Sequence, residues 1–188
     1  MDLETAFGAT DVQHYWQTPG GEQFPQSSRC EVVHRVLELL ELGTGLSVFE
    51  IGTGSGMSTA VLSRAVGPAG SVYSVDADPE VVARARVLLA GDGRANVEVV
   101  LADGEVHEPA RAPFDRLVAW ASCARRVPAA WMDSVRDGGL MVVPLLERRE
   151  AVTFRVRGGG LQEVGAAQAT FIPLSREPSR PWEGAPSS

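Results

Sequence analysis

The chain has 188 residues, of which 44% are hydrophobic, and this is enough for one domain with a substantial core. Its formal charge of −7 argues against a nucleic-acid partner, since such binding depends on many contacts between basic side chains and phosphates. All 17 basic residues are arginine, which excludes the lysine of phosphate-binding loops and any Schiff-base lysine. No apolar run reaches the roughly 20 residues that span a bilayer, and the N-terminus lacks the pattern of a secretion signal. We therefore expect a cytoplasmic protein with no membrane partner.

The first 27 residues show no sustained periodicity, which predicts an irregular arm. Its aromatic residues favour a lid, and we expect residues 14–28 to cover a bound ligand. From about Ser28 to Leu42, apolar residues recur at helical spacing, which predicts an amphipathic helix. Seven short apolar segments follow and predict strands at 46–51, 71–76, 97–102, 116–121, 140–145, 151–157 and 168–174.

Helical patterns separate the early strands, with helices predicted from residue 57 onward, over 79–90 and over 128–136. Strands that alternate with helices imply right-handed crossovers and a mainly parallel sheet. The last two strands have no helix between them, so they predict a C-terminal antiparallel hairpin. The sequence thus predicts a doubly wound α/β domain over 28–175 with a mainly parallel seven-stranded sheet, followed by a tail over 176–188.

A glycine-rich turn stands between the first predicted strand and the next helix. Glycine lets the backbone turn tightly and approach a ligand closely, although a tight turn without a ligand is an alternative. The spacing G-x-G-x-G differs from the G-x-G-x-x-G of dinucleotide sites and suits a ligand without phosphate, such as S-adenosylmethionine. We expect the acid ahead of the turn to help hold the positive end of that ligand through a local hydrogen-bond network, and exposed N–H groups to bind its carboxylate. The turn is Glu50-Ile51-Gly52-Thr53-Gly54-Ser55-Gly56.

Two further acids close the second and third predicted strands. Asp76 lies about 20 residues after the last glycine, where a carboxylate can bind both ribose hydroxyls. Asp103 and Gly104 follow the third strand, where an acid can accept a hydrogen bond from an adenine amino group. Each acid taken singly also fits turn chemistry, but ligands of open parallel sheets bind at the carboxyl ends of strands, where all three motifs fall. The two cysteines are too few for a four-cysteine zinc site, and we predict no metal.

Six blocks of sequence together resemble the protein-L-isoaspartate O-methyltransferase family. They are VFEIGTGSG (48–56), AVGPAGSVYSVDADPE (65–80), NVEVVLADG (96–104), APFDRLV (112–118), GGLMVVPL (138–145) and FIPLS (171–175). The resemblance implies a Rossmann-like class I methyltransferase that moves a methyl group from S-adenosylmethionine to a carboxylate of a peptide or protein, leaving S-adenosylhomocysteine. It also implies that Ser175 lies on the cofactor. The predicted cofactor residues are therefore Glu50, Gly52, Thr53, Gly54, Ser55, Gly56, Asp76, Asp103, Gly104 and Ser175.

Departures from the family pattern fall on the acceptor side. Where the family has T-I-S-x-P, this chain has QFPQSSRC (23–30); one alignment puts Ser28 on the family's serine and makes it the catalytic candidate, and another puts Pro25 there. After the fourth strand the family has small residues, and this chain has the bulkier AWASCARR (119–126). These departures predict weak or absent isoaspartyl activity and transfer to another peptide-borne carboxylate. The acceptor-side candidates are Ser27, Trp120, Ser122 and Arg125.

Three other functions stay open. Tailoring of a natural product or modified peptide, with a small-molecule carboxylate as acceptor, fits an altered pocket beside an unchanged cofactor site. A non-catalytic module would bind S-adenosylmethionine without turnover. RNA methylation is the weakest alternative because the charge balance is acidic. The sequence does not give the oligomeric state.

Overall fold

The computed structural model describes residues 1–18, 20–25, 27–106, 110–124 and 126–174. Within these ranges no helix has both the length and the apolar character to cross a membrane. The elements in chain order are α1 (Leu3–Gly8), α2 (Val12–Trp16), α3 (Cys30–Glu38), β1 (Ser47–Ile51), α4 (Met57–Val66), β2 (Ser71–Asp76), α5 (Pro79–Gly91), β3 (Val97–Leu101), β4 (Phe114–Ala119), α6 (Ala129–Asp133), β5 (Val135–Leu145), β6 (Glu150–Arg157) and β7 (Gly160–Gln168).

The seven strands form one sheet in the order β3-β2-β1-β4-β5-β6-β7. β1 lies inside the sheet and pairs in parallel with β2 and β4, while β6 and β7 are antiparallel to their neighbours. The strand order reverses at β1, because β2 and β3 lie on one side of it and β4 to β7 on the other. Ligands of open α/β sheets bind in the crevice at such a point. The predicted mainly parallel seven-stranded sheet with a C-terminal hairpin is confirmed.

The core lies on both faces of the sheet. On one face the buried Val48 and Val72 pack with residues of α3, α4 and α5. On the other face Phe49 stacks on Phe114, with ring centroids 5.4 Å apart, and Trp131 is fully buried in the same cluster. A strand that is covered on both faces has few positions for polar side chains, which is why the central strands are almost continuously apolar.

The second strand of the hairpin was predicted in the wrong place. It occupies Gly160–Gln168 and not 168–174. Gly158 and Gly159 have φ of 56° and 76° and form a two-residue turn, since Arg157 pairs with Gly160. Positive φ at both central residues is typical of the tight hairpin turn that matches strand twist. The glycine run therefore ends one strand and begins the next with no longer loop between them.

The lack of periodicity predicted an irregular arm over the first 27 residues, but the structure contains two short helices there. α1 and α2 each begin after an aspartate, and the side chains of Asp2 and Asp11 accept hydrogen bonds from the N–H groups of Thr5 and His14. Both helices contribute fully buried residues to the core. The arm is thus packed against the domain in its first 16 residues. The division at residues 27 and 175 stays a prediction, and the tail lies outside the described residues.

Candidate active site

The turn between β1 and α4 requires glycine at three positions. Gly52, Gly54 and Gly56 have φ of 91°, 51° and 86°, in the left-handed region that other residues rarely adopt. A β-carbon at Gly52 would lie 3.4 Å from Cβ of Trp120, and one at Gly56 would lie 3.4 Å from the ring of Tyr15. At the two outer glycines, a larger residue would therefore have an unfavourable backbone conformation and would also lie close to a neighbouring side chain.

Most N–H groups of this turn already have partners within the protein. The N–H groups of four of its residues are occupied within the protein, and the expectation that exposed N–H groups of the turn bind a carboxylate stays a prediction. A turn with its donors consumed is also a poor cradle for phosphate, which agrees with a ligand that has none. The bonds run from Gly52 and Thr53 to the carbonyl of Val75 (2.8 and 3.2 Å), from Gly54 to Oδ2 of Asp76 (3.0 Å) and from Gly56 to the carbonyl of Thr53 (3.0 Å).

Glu50 lies completely buried beside the turn and is surrounded by donors. Its Oε1 accepts from Ser58 Oγ (2.6 Å) and Trp120 Nε1 (2.8 Å), and its Oε2 accepts from Thr59 Oγ1 (2.5 Å) and Ser74 Oγ (2.8 Å). Burial raises the pKa of Glu50, and these four hydrogen bonds offset part of the rise. Four donors fill the positions that a carboxylate offers. Glu50 can therefore affect the positive end of a ligand only through the side chains that donate to it. Its predicted role in holding that end stays a prediction.

Thr53 connects the same network to the turn. Its Oγ1 lies 2.7 Å from Ser74 Oγ, and the Ser74 hydroxyl gives its single proton to Glu50. Thr53 is therefore the donor to Ser74. The side chain of the turn residue, β1 and β2 are thus held together by one chain of polar contacts.

Asp76 lies at the carboxyl end of β2, directly beside the turn. Its Oδ2 accepts from the N–H of Gly54 (3.0 Å) and its Oδ1 from the N–H of Asp78 (3.1 Å). Burial raises the pKa of Asp76, and the bond from Gly54 counteracts that rise. A carboxylate has about four acceptor positions, so acceptor capacity is left for the two hydroxyls of a ribose.

Asp103 and Gly104 follow β3, the strand next to β2. The Asp103 Oδ1 accepts from the N–H of Glu105 at 2.9 Å. A β-carbon at Gly104 would meet Cγ2 of Ile51 at 2.6 Å, so only glycine fits this close approach to β1. The Gly104 carbonyl also accepts from Trp131 Nε1 at 2.6 Å. The turn, Asp76 and Asp103 thus meet at the same edge of three adjacent strands.

Ser55 and the arm approach each other at this edge. The side chain of Arg84, which sequence reasoning missed, donates to the carbonyl of Ser55 (3.0 Å) and to the carbonyl of Tyr15 (2.8 Å). The Tyr15 hydroxyl donates to Asp92 Oδ2 (3.0 Å), and burial, together with the Asp92 charge, raises the pKa of Tyr15. An arginine inside the apolar stripe of a helix, between Val81 and Ala85, is the signal that could have found Arg84. These contacts place residues 15–17 beside the turn, and the lid role stays a prediction.

Trp120 follows β4 at the same edge but lies mostly in the core. It is 9% exposed, its indole N–H points to Glu50, and its ring packs edge-on against Phe171 with centroids 5.6 Å apart. Most of the indole is therefore used in packing. Its contact with an acceptor stays a prediction, and only its small exposed part could form that contact.

Ser122 holds a distant segment against the end of β4. Its Oγ donates to the carbonyl of Phe171 (3.0 Å), its N–H donates to Ile172 (2.7 Å), and its carbonyl accepts from Leu174 (2.9 Å). The segment 171–174, predicted as a strand, is therefore a short extension that bridges to Ser122. The residue is 2% exposed, so its hydroxyl serves this junction. Arg125 and Ser175 lie outside the described residues.

The two serines before α3 differ in their contacts. Ser27 Oγ donates to the carbonyl of Phe24 at 2.6 Å and closes a turn in the arm. Ser28 is partly exposed and forms no hydrogen bond with the described residues. The catalytic role of Ser28 and the acceptor-side role of Ser27 stay predictions. In the described part of the chain, no group of three or more possible ligands is arranged to hold a metal ion.

Known proteins resemble this chain in sequence and in fold. Residues 12–178 match the family described as protein-L-isoaspartate(D-aspartate) O-methyltransferase. A protein-L-isoaspartate O-methyltransferase of Ignicoccus hospitalis is 41% identical over 120 residues, which are 64% of this chain and 56% of that protein. A solved protein-L-isoaspartate O-methyltransferase superposes with a TM-score of 0.80 at 25% identity and covers 92% of this chain and 61% of its own.

A second solved structure shares the fold at lower identity. It is a protein of Plasmodium falciparum, described as a proposed protein-L-isoaspartate O-methyltransferase in complex with S-adenosyl-L-homocysteine. It has a TM-score of 0.73 and 14% identity, and the match covers 94% of this chain and 91% of its own. The chain spans little more than half of the Ignicoccus protein, but the family match extends over nearly all of this chain. The chain therefore belongs to the protein-L-isoaspartate O-methyltransferase family.

Proposed function

We propose that the protein transfers the methyl group of S-adenosylmethionine to the free carboxylate of an isoaspartyl residue in a peptide or protein. The family consists of methyltransferases that depend on this cofactor. The observation that carries the proposal is the meeting of the glycine turn, Asp76 and Asp103 at the carboxyl ends of three adjacent parallel strands.

The residues at this edge fit the chemistry of S-adenosylmethionine. The site presents mainly acceptors, and the adenosine part of the cofactor presents ribose hydroxyls and an amino group as donors. Asp76 would accept from the ribose and Asp103 from the adenine. The consumed N–H groups of the turn disfavour a phosphate-bearing nucleotide in the same place.

When bound, the cofactor supplies an electrophilic methyl group on a sulfonium sulfur. A substrate carboxylate is ionised at neutral pH, so the protein has no proton to remove. Its residues have to bind both partners, hold the acceptor oxygen in line with the methyl group and keep water out. Such positioning can lower a barrier by about 7–11 kcal/mol. The arm, which lies on the turn through Tyr15, is suited to excluding water.

A second acceptor class has one observation in its favour. Trp120, whose indole N–H is bonded to Glu50, stands where the resemblance implies a small residue, so the chain is bulkier there than the family pattern. This observation makes another peptide-borne carboxylate, or a small-molecule carboxylate, the second candidate after the isoaspartyl group. Nucleic acid remains disfavoured by the charge of −7. We also propose a cytoplasmic location, which the two free thiols, Cys30 and Cys123, support.

One assay separates these possibilities. Release of S-adenosylhomocysteine is measured with an isoaspartyl peptide, with its aspartyl twin of the same sequence and without peptide. Turnover with the isoaspartyl peptide alone supports the proposal. Equal turnover with both peptides indicates a different peptide-borne carboxylate. Binding of S-adenosylhomocysteine, measured by calorimetry, without turnover of either peptide indicates a small-molecule acceptor or a non-catalytic module.

A further inference from the structure

Arg84 joins the glycine-rich turn to the arm through a single guanidinium group. One terminal nitrogen, Nη1, donates to the carbonyl of Ser55 at 3.0 Å. The other, Nη2, donates to the carbonyls of Tyr15 (2.8 Å) and Gln17 (3.1 Å). The ring of Phe24 lies against the same group, with its centroid 4.2 Å from Cζ. Every one of these arm residues lies within the stretch 15–24.

The partners of Arg84 are all uncharged. In the part of the chain that the structure describes, it forms no ion pair, and its donors go to backbone carbonyls alone. Two of those carbonyls stand at the C-terminal end of α2, where helix carbonyls lack intrahelical partners. A planar fork can serve two sites at once, which a lysine ammonium on a single stem cannot reproduce.

Ser55 belongs to the turn that the proposed function assigns to the cofactor. A shift of its peptide group moves the acceptor of Arg84 Nη1, and the rigid fork passes that shift to the arm. The second attachment of the arm, from the Tyr15 hydroxyl to Asp92, does not involve the turn. The ring of Tyr15 also packs close to Gly56, and Arg84 adds the hydrogen-bonded contact through which the state of the turn can reach the arm.

We propose that Arg84 is a positioning residue that couples cofactor binding at the glycine turn to closure of the part of the arm that carries Tyr15, Gln17 and Phe24. The inference rests on the proposed function, because the cofactor has to occupy this turn. Coupling of this kind is reciprocal, so a closed arm also tightens the binding of the cofactor.

The variants Arg84→Met and Arg84→Lys test the coupling. Methionine keeps an apolar stem and removes the fork, and lysine keeps the charge but not the fork. Arg86→Met is the matched control, because Arg86 lies on the same helix and donates to the carbonyl of Val99 on β3, away from the arm. Three quantities are measured: the Kd of S-adenosylhomocysteine by calorimetry, the thermal midpoint, and the rate of chymotrypsin cleavage in the arm with and without S-adenosylhomocysteine.

In the wild type, S-adenosylhomocysteine should slow cleavage of the arm. Arg84→Met should raise the Kd about tenfold and lose most of this protection, which lies within the usual range of coupling between sites. Arg84→Lys should recover only part of either effect, and Arg86→Met should match the wild type in both.

Two results would overturn this inference but not the proposed function. The first is an Arg84→Met protein whose Kd and protection from cleavage are both unchanged. The second is a folded Arg84→Lys protein that has a lower thermal midpoint but a normal Kd and normal protection. Either would leave Arg84 as a structural residue only. A wild type that binds no S-adenosylhomocysteine would overturn the proposed function, and this inference with it.

Discussion

At the carboxyl ends of β1, β2 and β3 the predicted site residues lie on or directly after regular strands, whereas beyond β4 the site is made of irregular segments that hold one another. We call the first region, residues 50–56, 76 and 103–104, the cofactor rim, and the second, residues 120–123 and 171–174, the acceptor rim. The cofactor rim is fixed by side chains around a buried carboxylate in addition to the backbone hydrogen bonds of the turn. The acceptor rim is fixed mainly by backbone hydrogen bonds. Side-chain substitutions should therefore be far more costly in the cofactor rim.

The largest effect is expected for Glu50→Ala. The change leaves four donors in the core without their acceptor, and each unsatisfied buried group costs about 1–3 kcal/mol. The free energy of unfolding, measured by urea titration, should fall by at least about 3 kcal/mol. Ser122→Ala is the control from the acceptor rim, and should cost only about 1 kcal/mol because its backbone bonds remain. Equal losses in the two variants would abolish the distinction between the rims.

Asp76→Ala should weaken the binding of S-adenosylhomocysteine by about 1.5–3 kcal/mol, the range for hydrogen bonds to charged groups. Asp78→Ala is a matched control, since Asp78 accepts from Glu80 and Val81 at the start of α5 and caps that helix. The control should lower the free energy of unfolding and leave the Kd unchanged. Calorimetry that finds the same Kd for Asp76→Ala and the wild type would make Asp76 a turn residue only.

Trp120→Phe sharpens the comparison, because Trp120 links the two rims. The variant removes the indole donor to Glu50 but keeps an aromatic ring beside Phe171. We expect the free energy of unfolding to fall by about 1.5 kcal/mol. A double-mutant cycle with Glu50→Gln measures the contact itself, and a coupling energy near zero would show that the two rims are energetically separate.

The sequence was sufficient to predict where the residues of the cofactor rim lie because its signals are local, and their contacts with the cofactor stay predictions. Apolar segments that end in glycine or aspartate indicate where the strands lie and at which strand ends a ligand of such a sheet is expected to bind. Contacts between residues far apart in the chain give no such signal. Neither the indole of Trp120 on Glu50 nor the guanidinium of Arg84 on Tyr15 follows from any spacing, since the pairs are 70 and 69 residues apart.

Three elements were missed for related reasons. β7 is an edge strand with mostly exposed residues, so its sequence lacks the apolar pattern by which the other strands were found. α1 and α2 have six and five residues, too few for periodicity to appear. They are stabilised by aspartate caps and by the burial of Ala6 and Tyr15 in the core.

The smallest expected effect concerns acid. Burial raises the pKa of Asp92, but hydrogen bonds from Arg64 and Tyr15 outweigh this and hold the pKa below its usual 3.8. A lowered pKa in the folded state contributes stability that is fully present above about pH 4 and is lost as the pH falls through the folded value. Because Asp92 is partly exposed, the contribution should stay below about 1 kcal/mol. Unfolding measured from pH 5 to pH 2.5 should show a shallower acid dependence for Asp92→Asn than for the wild type, and parallel curves would contradict this.

The interior position of β1 affects the order in which the protein can be completed during synthesis. β1, β2 and β3 can pair once residue 101 has left the ribosome, but the second edge of β1 has no partner until residues 114–119 follow. Until Trp120 emerges, Glu50 also lacks one of its four donors. A nascent chain that stalls between these points exposes an open strand edge beside an incompletely satisfied carboxylate. The few residues from 114 to 120 therefore close the sheet and the buried network together, and truncation just before them should yield the most aggregation-prone fragment of this protein.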